Sequence, residues 1–77
     1  MSDFFNMLLN LHNLEGEELT INLDNVVDFY PTELVINGYP RRITTFDYVK
    51  GKEQEVREDY NKILDLINNV ENILSVQ

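Results

Sequence analysis

Apolar and polar residues alternate through the middle of the chain with the two-residue period of β-strands. Residues 19–23 follow this pattern and are predicted to form a strand with one buried face. Residues 26–30 and 34–36 continue it, and Pro31 is expected to end the first of these two strands. Residues 43–49 are rich in β-branched and aromatic side chains, which predicts a further strand.

Short segments containing glycine separate these strands. Gly16, within residues 15–17, is expected to take a positive φ in a turn. The dipeptide Asn37-Gly38 is a strong hairpin signal, and residues 50–52 form a third predicted turn. The pattern therefore favours strands joined by short turns.

The C-terminal segment changes to the helical period. Apolar residues recur at helical spacing in the set Tyr60, Ile63, Leu64, Ile67, Val70 and Leu74. The pattern predicts an amphipathic helix over residues 59–74, with Asp59 as its N-cap and with Ile63, Leu64, Ile67 and Val70 buried. We expect its apolar stripe to pack on a sheet, with a homodimer seam as the alternative.

Two segments are compatible with either a strand or a helix. Residues 52–58 can extend the helix towards the N-terminus, or residues 53–57 can form the return strand of a hairpin with residues 43–49. Residues 7–13 alternate as a strand does, although their asparagines also fall at helical spacing. His12 is expected to point outward.

Composition excludes several classes of function. The chain has 77 residues, which is enough for one domain spanning 1–77. It contains no Cys and one His, so thiolate chemistry and a three-histidine metal site are excluded. The two serines lie near the chain ends, which argues against a serine triad. No apolar run approaches about 18 residues, the length that a membrane span needs. We predict a cytoplasmic, non-enzymatic protein without a cofactor or metal.

Charge narrows the choice of partner. The net charge is −8, and residues 1–40 hold seven acidic residues and no Lys or Arg. Direct binding to nucleic acid needs a basic patch, so we expect a basic protein as the partner instead. An acidic pole is predicted to cluster at one end of the sheet and to form the working surface, composed of Glu15, Glu17, Glu18, Asp24 and Asp28. Solubility alone is the alternative explanation of the charge.

A second candidate contact surface follows the Asn37-Gly38 turn. Tyr39 precedes a proline and is expected to be exposed, and Arg41 and Arg42 come directly after it. Tyrosine and arginine are enriched at protein interfaces. These three residues are therefore a candidate binding loop, with an ordinary loop that packs its tyrosine as the alternative.

The chain contains the run Leu9-Asn10-Leu11-His12-Asn13-Leu14-Glu15-Gly16, followed by Leu19, Ile21, Asn22 and Val26. This pattern resembles the opening of small flagellar and swarming-motility proteins of the FlbD/SwrD type. Thr44, Gly51, Val56 and Glu58 also match that family's pattern. Similar layouts occur in small phage proteins. The resemblance implies strands at residues 7–13 and 53–57, with the helix beginning near Asp59, and it implies a motility role.

Together these observations predict an α+β fold, a small antiparallel meander of four or five strands covered by one C-terminal helix. Three functions are compatible with these observations. The first is an acidic inhibitor or regulator of a basic nucleic-acid-binding protein, of the phage anti-defence or anti-CRISPR kind. The second is a motility accessory protein. The third is an oligomeric module that binds a nucleotide-like ligand near Arg41 and Arg42.

Overall fold

Five strands and one C-terminal helix make up the part of the chain that the computed structural model describes, which is the backbone of residues 7–76 and the side chains of residues 7–69. The elements are β1 (Leu8–His12), β2 (Glu18–Asn22), a 3₁₀ turn (Leu23–Asn25), β3 (Val26–Ile36), β4 (Tyr39–Tyr48), β5 (Glu53–Val56) and α1 (Tyr60–Val76). The α+β prediction is confirmed, and residues 8–12 and 53–56 are strands.

The strands are divided between two antiparallel sheets, β1-β2 and β3-β4-β5. The 3₁₀ turn between β2 and β3 separates the two sheets along the chain. The side chain of Asn22 accepts a hydrogen bond from the backbone N–H of Asp24, which caps this turn as the chain changes direction. Consecutive strands within each sheet are joined by short hairpins.

Each hairpin turn uses residues with positive φ. Asn37 (φ 54°) and Gly38 (φ 83°) form the two-residue turn between β3 and β4, with Ile36 opposite Tyr39. These are the dihedrals of a type I′ turn, whose twist matches that of the strands. Gly16 (φ 90°) and Gly51 (φ 82°) occupy the left-handed position of the other two turns, as three-residue hairpin loops require.

Strand β3 runs without interruption through Pro31, so the prediction that Pro31 ends a strand is wrong. The proline lies opposite Thr44 in an 11-residue strand that also includes residues 34–36. β3 is an edge strand with β4 as its sheet neighbour, so half of its backbone N–H groups need no partner within the sheet. A proline is tolerated at such a position.

The core lies between the two sheets and the start of the helix. Its fully or almost fully buried side chains are Leu9, Leu11, Ile21, Phe46, Val56 and Ile63. Phe29 stacks on Phe46 with ring centroids 5.3 Å apart, and its centroid lies 5.5 Å from that of Tyr60. These aromatic contacts connect β3, β4 and α1 in one apolar layer.

The helix begins where the sequence predicts. Asp59 caps it, because its Oδ1 accepts a hydrogen bond of 2.9 Å from the backbone N–H of Lys62. Ile63 is fully buried, and Leu66 and Ile67 pack against the core. Leu64 is only half-buried and does not join the core, because it lies about 100° around the helix from Ile63. The predicted burial of Val70 lies outside the described side chains.

Candidate functional site

The predicted acidic pole does not form one cluster. Glu15 and Glu17 belong to the turn between β1 and β2, and Glu18 begins β2 opposite His12. Asp24 and Asp28 follow the far end of β2, a strand about 17 Å long. The expectation that these five residues meet is wrong, because the hairpin turn and the 3₁₀ turn lie at opposite ends of the same strand.

Asp28 instead joins two carboxylates that the sequence reasoning missed. Asp28 lies opposite Asp47 on β4, and Asp47 lies opposite Glu53 on β5. Neighbouring strands are about 4.8 Å apart, so these residues form a straight line of three carboxylates across the sheet. We call Asp28, Asp47 and Glu53 the acidic row. Like charges directly opposite each other destabilise a sheet, so the row costs the isolated protein free energy.

The acidic row lies on the outer face of the three-stranded sheet, away from the core. Phe29 and Phe46 form the adjacent pair and point into the core, so the next pair along the strands points the other way. Asp28 and Glu53 are exposed, and Asp47 is half-buried. The charges are therefore held on a rigid sheet and face outward.

Tyr30 lies next to the acidic row, and its pKa is affected by that position. Its hydroxyl donates a hydrogen bond of 3.3 Å to Oδ1 of Asp47. Partial burial raises the pKa of the Tyr30 phenol, and the negative charges of Asp47 and Glu53 raise it further. The neutral, hydrogen-bonded phenol is therefore the stable form beside these carboxylates.

The acidic surface continues around the edge of β5. A depression of about 510 Å³ lies between this strand and the first hairpin turn, and its lining residues are Asn13, Leu14, Glu15, Glu53, Gln54 and Glu55. Of the predicted acidic residues, Glu15 is thus brought close to the β5 carboxylates. Asn13 fixes the turn, since its Oδ1 accepts hydrogen bonds from the backbone N–H groups of Glu15 and Glu17.

The second predicted surface, Tyr39, Arg41 and Arg42, lies on a strand and not on a loop. The type I′ turn is only two residues long, so β4 already begins at Tyr39. The register with β5 covers only Thr44–Asp47, and the β3-β4 hairpin therefore projects beyond β5. We call residues 33–42 the arm. Tyr39 is 71% exposed, as the sequence predicted, and Val35 is 73% exposed.

Both prolines lie at outward-facing backbone positions of the β3-β4 hairpin. Ile36 and Tyr39 flank the two-residue turn, so they form a hydrogen-bonded pair, and the pairs alternate from there. Pro40 (opposite Val35) and Pro31 consequently fall in non-hydrogen-bonded pairs. Neither proline removes a bond of the β3-β4 ladder, and each removes a donor that would otherwise face a neighbouring chain.

Hydrogen bonds among His12, Thr44, Arg57 and Glu58 join the two sheets, and the sequence did not predict them. We call these contacts the clasp. The His12 ring lies 2.7 Å from Oε2 of Glu58 through Nδ1, and its backbone N–H donates to Oε1 at 3.0 Å. The backbone N–H of Arg57 donates to the carbonyl of His12, and the buried Thr44 hydroxyl donates to the carbonyl of Glu58. His12 is therefore half-buried and paired, contrary to the expectation that it points outward.

Within residues 7–69, no group of three or more His, Asp or Glu side chains is arranged to hold a metal ion. No helix in the described part of the chain is long and apolar enough to cross a membrane.

Comparison of the chain with protein-family models, curated proteins and solved structures gives no match. The resemblance to motility proteins therefore stays a prediction, and so does the role that it implies.

Proposed function

We propose that this protein is a non-enzymatic binding module that docks on a basic protein surface through the acidic row. The row of Asp28, Asp47 and Glu53 is the observation that supports this proposal. Like charges placed opposite each other repel in the isolated protein, and the positive charges of a basic partner would offset that repulsion. The net charge of −8 would also steer such a partner towards the protein.

The partner we propose is a protein whose basic surface normally binds nucleic acid. Such a surface is built to contact closely spaced negative charges along a backbone. The acidic row presents three carboxylates in a line, at the spacing of neighbouring strands. A module of this kind would occupy the nucleic-acid site and act as an inhibitor or regulator, as the phage anti-defence class of proteins does.

Affinity capture with paired charge variants tests this proposal. The three baits are the wild type, the row variant Asp28→Lys/Glu53→Lys and the turn variant Glu17→Lys/Glu18→Lys. All four substituted residues are exposed, and both variants have a net charge of −4 in place of −8. Proteins retained from cell extract are identified by mass spectrometry, and duplex DNA is added as a competitor.

We expect the wild type and the turn variant to retain the same basic protein, the row variant to lose it, and duplex DNA to displace it. Association should also slow as salt rises, since exposed charges are screened beyond about 8–10 Å. Equal loss by both variants would mean that net charge alone causes binding. Unchanged capture by the row variant would remove the acidic row from the interface.

A further inference from the structure

All three arginines of the chain line one small pocket where the arm meets the rest of the protein. The pocket has a volume of about 160 Å³, and its lining residues are Leu14, Ile36, Arg41, Arg42, Ile43 and Arg57. No acidic residue belongs to this lining. Half of the six basic residues in a protein of net charge −8 are therefore gathered at one place.

Strand pairing explains how distant arginines meet. Arg41 and Arg42 directly precede Ile43 on β4, and Val56 lies opposite Thr44, so Arg57 follows on alongside Ile43. The backbone N–H of Arg57 is held by its hydrogen bond of 2.9 Å to the carbonyl of His12. The register of the hairpin and the clasp together bring Arg57 to the other two arginines.

Gly16 leaves room for one of the guanidinium groups. A Cβ atom at Gly16 would lie 3.2 Å from Nη1 of Arg57, so this guanidinium packs against the backbone of the first hairpin turn. The contact sets Arg57 between the turn and Ile43. A glycine is therefore needed at position 16 for two reasons: the backbone φ of 90° and the space that Arg57 occupies.

The pocket has an apolar floor under its charges. Ile43 is 2% exposed, and Leu14 and Ile36 are half-buried. Charge interactions are stronger next to such low-dielectric surroundings than in open solvent. Among the side chains of residues 7–69, none of the three arginines forms an ion pair within 4.0 Å. Glu33 lies opposite Arg42 on β3 without forming such an ion pair, so the arginine charges remain available to a ligand.

We propose that this pocket binds a single phosphate group. Arg41 and Arg42 are successive strand residues and point to opposite faces of β4, and Arg57 approaches from the segment after β5. Guanidinium donors therefore surround the pocket from several sides, which suits the three or four oxygens of a tetrahedral phosphate. A planar carboxylate is already satisfied by one guanidinium that binds both of its oxygens. Pockets that enclose drug-sized ligands measure about 300–1,000 Å³, so a volume of about 160 Å³ admits the phosphate group and leaves the rest of a larger ligand outside.

An NMR titration of the ¹⁵N-labelled protein tests the proposal, with inorganic phosphate and glycerol 3-phosphate as separate probes at low salt and neutral pH. We expect saturable shifts centred on the amides of Gly16, Ile43 and Arg57. Tighter binding of glycerol 3-phosphate would assign the pocket to a phosphate ester, and tighter binding of inorganic phosphate would assign it to the free anion. The absence of saturable shifts with both probes would overturn the proposal.

The matched variants are Arg41→Gln/Arg42→Gln and Lys50→Gln/Lys52→Gln. All four residues are exposed, and each variant changes the net charge from −8 to −10. We expect the arginine variant to weaken phosphate binding at least tenfold and the lysine variant to stay within about twofold of the wild type. Arg57→Gln, which keeps its backbone hydrogen bond, should also weaken binding at least fivefold. Equal weakening by the arginine and lysine pairs would show binding by net charge alone and would reject the pocket.

Discussion

The imidazole of His12 lies 2.7 Å from the Glu58 carboxylate, and the backbone N–H of the same histidine donates to the other carboxylate oxygen. One carboxylate thus holds the end of β1 against the segment that follows β5. Partial burial raises the pKa of Glu58, but the hydrogen bonds from His12 outweigh that effect and place it below its ordinary 4.5. The folded protein therefore favours the ionised form of Glu58.

Replacing Glu58 by Gln should reduce the acid sensitivity of the fold. A depressed pKa in the folded state means that the stabilisation is complete above about pH 4.5 and is lost as the pH falls through the lower, folded value. We expect Glu58→Gln to cost about 1 kcal/mol at pH 7 and the difference to shrink towards pH 3. Urea unfolding from pH 7 to pH 3 measures this. Parallel stability curves for the two proteins would contradict it.

Neutralising one end of the acidic row should stabilise the isolated protein. Glu53→Gln keeps the side-chain length and removes the repulsion from Asp47 on the neighbouring strand. We expect the free energy of unfolding to rise by about 0.2–1 kcal/mol at low salt, with a smaller gain at high salt. Asp24→Asn, at an exposed position away from the row, is the control. A gain no larger than that of the control would show that the three carboxylates do not repel one another appreciably.

A charge at the buried contact between helix and sheet should unfold the protein. Ile63 is fully buried against the core, and an aspartate there would be unpaired. We expect Ile63→Asp to cost more than about 4 kcal/mol, which is a large part of the stability of a chain this short. Circular dichroism and thermal melting report the loss. Asn61→Asp adds the same group at an exposed position of α1 and should stay folded, and an Ile63→Asp protein that melts like it would refute this packing.

Removing both prolines should expose the edges of the β3-β4 hairpin. Pro31→Thr/Pro40→Thr restores one outward-facing N–H on each edge, and threonine is favourable in strands. We expect association at lower protein concentration than in the wild type, measured by size-exclusion chromatography with light scattering. The two single variants identify the edge that pairs. A double variant that matches the wild type in mass at every concentration would show that other features protect these edges.

Local signals account for the part of the fold that the sequence predicted. Asn37-Gly38, Gly16 and Gly51 set their turns through backbone dihedrals that few other residues adopt, and Asp59 caps the helix through its own side chain. Each of these features acts within about four residues. The order of strands and the start of α1 could therefore be predicted from the sequence.

The candidate sites depend on pairing between distant residues, which explains why they were missed. Asp47 meets Glu53 only through the three-residue turn between β4 and β5, and Asp28 meets Asp47 only past a bulge near Val26. The predicted turn at residues 50–52 would have placed Asp47 opposite Glu55, whereas the turn in the structure lies one residue earlier and places Asp47 opposite Glu53. An error of one residue in the turn therefore hid this pair. The approach of Arg57 to the arm depends on the clasp and left no local signal.

The clasp also has a kinetic consequence. Every strand pair is a local hairpin, whereas the hydrogen bonds between His12 and Glu58 close a loop of 46 residues. Local hairpins form within microseconds, but joining distant segments first costs the entropy of closing the loop. The clasp should therefore form last in folding and open first in the native state. In hydrogen-exchange experiments, the amide of Arg57 should exchange before that of Phe46, which belongs to the core shared by the two sheets.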